Sequence, residues 1–305
     1  MKGLVVERAG PLALIQDGGR FGVRHLGVTQ GGAADWVSLG WANWLLGNAP
    51  QSAGLEITVG GLTLCAETSA TLALTGADLG ATLDETPLAP GASFTIAPGQ
   101  RLAFERPRAG LRAYLAFPGG LEAPPVLGSV ASTVREGLGG LEGQGGALGE
   151  GDRLVWSGHG EPGRRLPDDA STLPGEHPHL ALVSGAQIAG FSGTSVFEAF
   201  NAAWTVDQRA DRMGVRLTGP ELRYLGAGMV SEGIPLGAVQ VPADGQPIIL
   251  LNDRQTIGGY PRLGALTPLA CAQLAQCVPG TQLRLRPVTA GQAREAHLRQ
   301  LARWR

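Results

Sequence analysis

Residues 231–261 read SEGIPLGAVQVPADGQPIILLNDRQTIGGYP. Short apolar runs, Ala238–Val241 and Ile248–Leu251, are bounded by Gly and Pro within a few residues on either side. Runs this short, closed off by turn residues, read as strands rather than helices. Glu232, Gln240, Asp253, Arg254, Gln255 and Thr256 are set among them. A strand used only for packing has no need of an acid, two amides and an arginine beside Ile248–Leu251. The stretch therefore reads as strand material carrying a ligand wall, expected to line the cleft of a barrel.

The same punctuation continues outward. Glycine (48) and proline (21) together exceed a fifth of the 305 residues, without low complexity. Thr71–Leu74, Ser93–Ile96, Arg112–Ala116 and Arg153–Trp156 repeat the short-run pattern, and Ala97–Pro98–Gly99–Gln100 and Glu150–Gly151–Asp152 read as turns between strands. Helices are few. Asp35 to Leu46 is one, stopped by Gly47–Asn48; Pro268 to about Gln276 is a second, capped by Thr267; Ala290 to about Trp304 is a polar third. The expected fold is mainly β, with accessory helices.

The segment His159–His179 is rich in Pro, Gly and mixed charge and poor in apolar residues, so it marks the boundary between halves. The expected division is 1–160, a linker over 161–179, 180–288, and a helical tail over 289–305. A faint echo joins the halves: Gln16–Asp17–Gly18–Gly19–Arg20–Phe21 against Asn252–Asp253 followed by Gly258–Gly259–Tyr260–Pro261–Arg262.

Composition excludes several chemistries. Net charge is −2, which gives no broad electrostatic footprint for nucleic acid or an acidic membrane. Lysine occurs only at Lys2, beside the first methionine, so a P-loop, a Schiff base or covalent biotin on this chain is excluded. Three cysteines (Cys65, Cys271, Cys277) make no disulfide framework, and a buried apolar role is the reading for Cys271 and Cys277. Glu7 and Arg8 stand where a signal peptide needs an apolar run, and no apolar stretch is long enough to span a bilayer, so a soluble cytoplasmic protein is expected. Gly158–Gly163 matches G-x-G-x-x-G but contains Pro162 and lacks a βαβ setting. His177 and His179 have no acid or thiol cluster near them, so no metal site is assigned.

Four groups carry candidate chemistry. Thr29–Asp35 opens the first helix, where free N–H groups hold an anion or Asp35 simply favours the helix dipole. Gln16, Asp17 and Arg20 lie in a glycine-rich turn from which side chains can project, either to a ligand or as a pair bracing the turn. Arg209, Asp211, Arg212 and Arg216 lie in RADRMGVRL; alternation places Arg212 and Arg216 on one side, as a fork for carboxylate or phosphate or as a solvated charge face. Asp253, Gln255, Thr256 and Tyr260 follow the strand Ile248–Leu251: Asp253 suits a general base, a holder for a cation or an Asx-turn, and Gln and Tyr suit orientation of a carbonyl.

With these phrases in hand, nearly the whole chain resembles the biotin-dependent carboxyltransferase-like family that includes the C subunit of 5-oxoprolinase. The family also takes in urea carboxylase, the second-subunit-like region of allophanate hydrolase and an antagonist of a sporulation-kinase inhibitor. The resemblance rests on Gln16–Gly22, Gly31–Asp35, Ala42–Asn43 with Gly47–Asn48, Asp211–Gly214, Ser231–Gly233, Gly237–Pro242 and Asp253–Pro261. It implies two cyclophilin-like β-barrel subdomains. It also implies a role in opening 5-oxo-L-proline to L-glutamate, driven by ATP, shared with companion subunits and taken with Mg2+. The companions would be an allophanate-hydrolase-subunit-1-like (subunit-B-like) protein and a subunit-A-like protein, and the chain would be active only with them. Site roles would fall to Asp253, Glu232, Gln255 and Tyr260 in catalysis, and to Gln16, Asp17, Arg20, Asp35, Arg209, Arg212, Gln240 and Thr256 in substrate binding. The alternatives are a carboxyltransferase acting with carboxybiotin on a urea-like acceptor and a non-catalytic regulatory binding module. One phrase departs from the family: a Gly-Ser-Arg-Ser-Thr-Asp-like run reads here Gly128–Ser129–Val130–Ala131–Ser132–Thr133, without the arginine or the acid.

Overall fold

A computed structural model describes residues 3–160, 163–170 and 173–304. Lys2, with the start of the chain, and Glu161 and Pro162 of the Gly158–Gly163 phrase lie outside the described residues. The expected mainly-β fold with few helices is what the structure shows. The chain divides into two compact units: Met1–Gly22, Gly31–Leu173 and Trp304 form the first, and Val23–Gln30, Pro174–Arg303 and Arg305 the second.

Unit 1 contains two antiparallel sheets. The order in the six-stranded sheet is Arg153–Val155, Gly3–Arg8, Thr63–Ala66, Arg101–Ala103, Thr82–Leu83 and Thr86–Pro87. In the five-stranded sheet it is Leu12–Gln16, Gly54–Thr58, Ala109–Ala116, Ala70–Asp78 and Ala92–Ile96. Ala113 and Leu115 face the main core with Ile57, Leu72 and Leu74, whereas Tyr114 and Ala116 face helix α1 (Trp36–Leu45) through Leu39, Ala42 and Leu45. Both faces of residues 113–116 are covered, which is why these four are apolar without alternation. The segment expected as a linker is tied to unit 1 as far as Leu166. Arg164 N donates to Ser93 Oγ (3.0 Å), Leu166 N to Gly91 O (2.9 Å), and the Arg164 guanidinium lies 4.9 Å from the Trp44 ring centroid. The division between units falls after Leu173.

Unit 2 contains a closed seven-stranded barrel, in order His179–Ser184, Arg262–Leu266, Ala238–Gln240, Ile248–Leu250, Gly214–Thr218, Trp204–Ala210 and Gln282–Val288. Closure is made by the parallel pairing of His179–Val183 with Arg284–Val288. Leu180, Leu182, Val206, Leu217, Val239, Ile249, Leu263, Leu283 and Leu285 fill the core. Gly264 lets two strands approach closely: a Cβ there would stand 2.1 Å from Val183 O. Helices α3 (Pro268–Leu274) and α4 (Ala290–Ala302) begin where the sequence places them. Thr267 accepts from Ala270 N, and Thr289 forms a capping box with Gln292. Helix α2 (Gly193–Asn201) is not among the expected helices; its cap is Ser192, whose Oγ accepts from Ser195 N. Cys271 and Cys277 are buried, and burial pushes both thiols up to about 12, as the apolar reading requires.

Candidate functional site

Strand alternation in unit 2 sends Val239 and Ile249 into the barrel core and Ala238, Ile248 and Leu250 into a separate cluster with Ile234. Gln240, next to Val239, takes the same outward phase and is only 2% exposed. The polar segment 231–261 thus does not line the barrel interior, which is apolar; its polar groups gather on the outer face. A two-pair ladder, Glu232↔Gly258 and Gly233↔Ile257, brings Gly258 against Gln240.

Charged groups fix this ladder. Arg262 Nη2 donates to Glu232 Oε1 (2.5 Å) and Nη1 to Gly233 O (3.2 Å). Gln187 Nε2 donates to the same Glu232 oxygen, and Gln187 Oε1 accepts from Arg262 N (2.9 Å). Glu232 keeps 42% of its side-chain surface exposed, so a carboxylate anchored through one oxygen still meets solvent. The loop that follows Ile248–Leu250 is held by backbone carbonyls. Arg24 Nη2 donates to Ile234 O (2.8 Å), Thr256 O (3.1 Å) and Gln255 O (3.3 Å). Arg254, 2% exposed, donates from Nε to Ile234 O and from Nη1 to Leu251 O, both at 3.2 Å. Thr29 Oγ1 donates to Arg254 O (2.6 Å). Burial, and then the charge of Arg24, lowers Arg254 to about 10.

Arg212 and Asp253 form a two-bond pair, Nε to Oδ2 at 2.9 Å and Nη2 to Oδ1 at 3.0 Å, with side chains 7% and 11% exposed. Each carboxylate oxygen of Asp253 takes one hydrogen bond from this guanidinium, so its charge is held in an ion pair. The expected fork of Arg212 with Arg216 does not form. Asp211 Oδ1 accepts from Met213 N (2.8 Å) and Gly214 N (3.0 Å), which makes residues 211–214 a turn and starts the strand at Gly214. Arg216 pairs instead with Asp244 (2.6 Å), and Arg209 with Asp207 on an exposed edge. Gln255 and Thr256 enter the network through their carbonyls, and Tyr260 stands 52% exposed.

In unit 1 the Gln16–Arg20 turn does not project its side chains; it anchors the phrase that departs from the family pattern. Gln16 and Arg20 are fully buried. Gln16 Nε2 donates to Ser132 O (2.9 Å), Arg20 Nε to Val126 O (3.1 Å) and Arg20 Nη2 to Ala131 O (2.6 Å). Asp17 accepts from Gly19 N (2.7 Å), Ser129 Oγ (2.6 Å) and Val130 N (2.9 Å). Asp35 is the cap of α1, taking Ser38 N (3.0 Å) and Ser38 Oγ (2.6 Å), and is wholly buried. A buried chain continues from it: Asp35 N donates to Tyr114 Oη (2.7 Å), which donates to Glu56 Oε2 (2.8 Å), itself also an acceptor for Ala34 N (2.9 Å). Burial, with Glu56 and Asp35 adding to it, raises the Tyr114 hydroxyl well above its ordinary range.

Arg24, Gln187, Arg262, Glu56 and Tyr114 are residues of these networks that sequence reasoning does not reach. Gln187 lies in a one-turn 3-10 segment without periodic signal, and Glu56 sits inside an apolar strand. An acid in such a run, GLEIT, is the one signal that points to a buried network.

Known proteins place this geometry in a family. The family described as carboxyltransferase domain, subdomain A and B, matches residues 26–287. The chain is 37% identical to the C subunit of 5-oxoprolinase from Escherichia coli, covering 99% of this chain and 98% of that protein. It is 34% identical to the corresponding 5-oxoprolinase C subunit of Haemophilus influenzae, covering 92% and 90%. The crystal structure of the K. lactis urea amidolyase superposes with a TM-score of 0.90 at 26% identity over 99% of this chain, which spans 20% of that longer one. This chain belongs to the carboxyltransferase domain, subdomain A and B, family.

Proposed function

We propose that this chain is a subunit of an ATP-dependent 5-oxoprolinase, opening 5-oxo-L-proline to L-glutamate together with companion subunits. The observation that carries this reading is near-complete, end-to-end similarity to two 5-oxoprolinase C subunits. A lactam is a poor electrophile; phosphorylation of its oxygen by ATP, with release of ADP, opens the ring carbon to water, C–N cleavage then frees the amine and leaves an acyl phosphate, and a second water releases glutamate and phosphate. Such chemistry needs a group to bind the lactam, cations for carboxylate and phosphate oxygens, and a carboxylate to take a proton from water.

The unit 2 cluster supplies these types. Glu232, held through Oε1 and open to solvent, suits the proton acceptor, with Arg262 and Gln187 fixing it. Gln240 suits the lactam. Asp253, paired with Arg212, serves as a positioning residue for the loop that carries Gln255, Thr256 and, further on, Tyr260. Gln16, Asp17, Arg20 and Asp35 act through the loops they anchor, and Arg209 has the least claim, being paired locally and exposed. No group of three or more His, Cys, Asp or Glu gathers for a metal among the described residues, so Mg2+ would enter with the nucleotide. Combining the chain with its subunit-A-like and subunit-B-like companions, ATP and 5-oxo-L-proline should release glutamate and ADP. No glutamate from a verified complex would sink the assignment.

The family description and the urea amidolyase likeness favour a second reading, carboxyl transfer to a urea-like acceptor. Biotin would then arrive on a separate biotinyl protein or domain, since Lys2 is the only lysine of this sequence. Transfer of label from free carboxybiotin to urea would support it; an unchanged acceptor would remove it. A cytoplasmic setting goes with either reading; among the described residues no helix is long and apolar enough to cross a membrane.

A further inference from the structure

In unit 1, helix α1, the strand Ala70–Asp78 and residues 166–170 with Leu173 wall a cavity of about 330 Å3. Small-molecule sites begin near this size, at roughly 300 Å3. Trp41, Pro90, Leu166, Pro167 and Leu173 give it apolar sides. The backbone is shaped around it. Pairing of Ala70–Asp78 with Ala109–Ala116 slips register, and Gly76, opposite Ala113, lines the cavity with φ 79°. A glycine bulge of this kind re-aims a strand and interrupts its ladder. Gly91 (φ 103°) donates from N to Leu74 O (2.7 Å) and accepts from Leu166 N (2.9 Å), which ties the covering segment to the sheet. Ala170 N donates to Pro167 O (2.9 Å), so that segment turns within the cavity wall.

The oxygen-bearing side chains of the wall are of one kind. Ser38 Oγ donates to Asp35 Oδ2 (2.6 Å), and Thr75 Oγ1 donates to Ser38 O (2.7 Å). A hydroxyl has one proton, so toward a ligand both oxygens only accept. Asp168, exposed to solvent, adds a carboxylate, which also only accepts. Among the described residues of the wall there is no Lys, Arg or His. A carboxylate or phosphate ligand would find no cation there, which sets the cavity apart from the anionic reactants of the proposed reaction.

We propose that this cavity is an accessory binding site for a small organic ammonium ion with an apolar body. The ammonium N–H groups meet the Asp168 carboxylate, and the body lies against Leu166, Pro167 and Pro90. An ammonium group offers donors alone, the complement of a wall whose oxygens only accept. Every wall residue belongs to unit 1, whereas Glu232, Arg262 and Gln187 belong to unit 2. The site therefore does not rest on the 5-oxoprolinase reading.

The test titrates the full chain with 2-phenylethylammonium, 2-phenylethanol and 3-phenylpropionate by ligand-detected NMR, for wild type, Asp168→Asn and Ala170→Leu. The ammonium ion should bind about fivefold more tightly than the alcohol, the size of a partly exposed ion pair, and the acid should bind most weakly. Asp168→Asn should erase the ammonium ion's advantage and leave alcohol binding within about twofold, since only the charge is lost. Added salt should shrink the same advantage in wild type and leave the alcohol unaffected. Ala170→Leu puts three more carbons into the wall and should weaken ammonium ion and alcohol alike, with its melting curve confirming a folded chain. No saturable binding of the ammonium ion by wild type, equal or tighter binding of the acid, or an undiminished ammonium preference in Asp168→Asn overturns the proposal. Unchanged binding by folded Ala170→Leu overturns it as well, because the ligand then sits elsewhere. Should Ala170→Leu not fold, Asp168→Asn, at an exposed position, decides the outcome.

Discussion

Replacing Asp253 by Ala removes the carboxylate that takes two hydrogen bonds from Arg212, at 2.9 and 3.0 Å. With the arginine side chain 7% exposed and the aspartate 11%, water cannot take over the lost bonds fully. Breaking a buried pair from one side costs ~3–5 kcal/mol, and the slight exposure of Asp253 puts the expected loss near the lower bound, about 3 kcal/mol. That corresponds to roughly a hundredfold change in the folding equilibrium of unit 2. Replacing both residues with apolar ones, Arg212→Met with Asp253→Leu, removes the charge as well as the bond and is expected to cost less than either single change. Urea unfolding of Asp253→Ala and of the four proteins of the cycle (wild type, Arg212→Met, Asp253→Leu and their double) measures the cost and the coupling, with the fluorescence of Trp204, a buried core residue of unit 2, as local reporter. An Asp253→Ala cost below ~1 kcal/mol, or a double variant as costly as the two singles summed, would refute the description of this pair as a buried, closed unit. Activity then separates roles. As a positioning residue, Asp253 should lose turnover in proportion to the disorder of its loop, with partial recovery in Asp253→Glu. A general base would lose ~100-fold or more in Asp253→Asn, beyond what the loss of stability accounts for.

Tyr114→Phe deletes the hydroxyl that links Glu56 Oε2 to Asp35 N inside unit 1, and an unfolding cost of about 3 kcal/mol is expected from two lost buried hydrogen bonds, one to a charged group. Stability should also fall in alkali: Tyr114 is raised well above 10, and Cys271 and Cys277 from 9.0 to about 12. These groups stay neutral in the folded state while the unfolded chain gives up its protons. Their contribution is therefore whole below pH ~9 and is lost as pH rises toward 12. Urea midpoints between pH 8 and 11 read this slope, which Tyr114→Phe should make shallower above pH ~10.

The elements legible in the sequence are those whose cause is local. Asp35, Thr267 and Thr289 each announce a helix through a cap that bonds within three residues, and all three helices begin there. Helix α2 escapes such a reading because Ser192 caps it without an acid or amide at the third position and its nine residues give little periodicity. Strands are legible from short apolar runs, but their partners are not: nothing local says that His179–Val183 pairs parallel with Arg284–Val288 to close the barrel. The site follows the same division. Glu232, Gln240 and Asp253 stand out by residue type, whereas their partners Arg262, Gly258 and Arg212 come from strand register and turn geometry. Asp17 and the Gly128–Thr133 phrase are separate motifs in sequence; the fold makes them one structure through Ser129 Oγ and Val130 N. The phrase without its arginine is nonetheless an ordered, fully anchored loop.

The proposed role of this chain, completing a 5-oxoprolinase, is measured most directly by subtraction. Glutamate and ADP are quantified from 5-oxo-L-proline and ATP with the two companion subunits alone and again after this chain is added. Negligible glutamate before addition, and glutamate with matching ADP after it, is the expected result. Glutamate formed equally well without this chain, or none formed when all three are assembled, would contradict it.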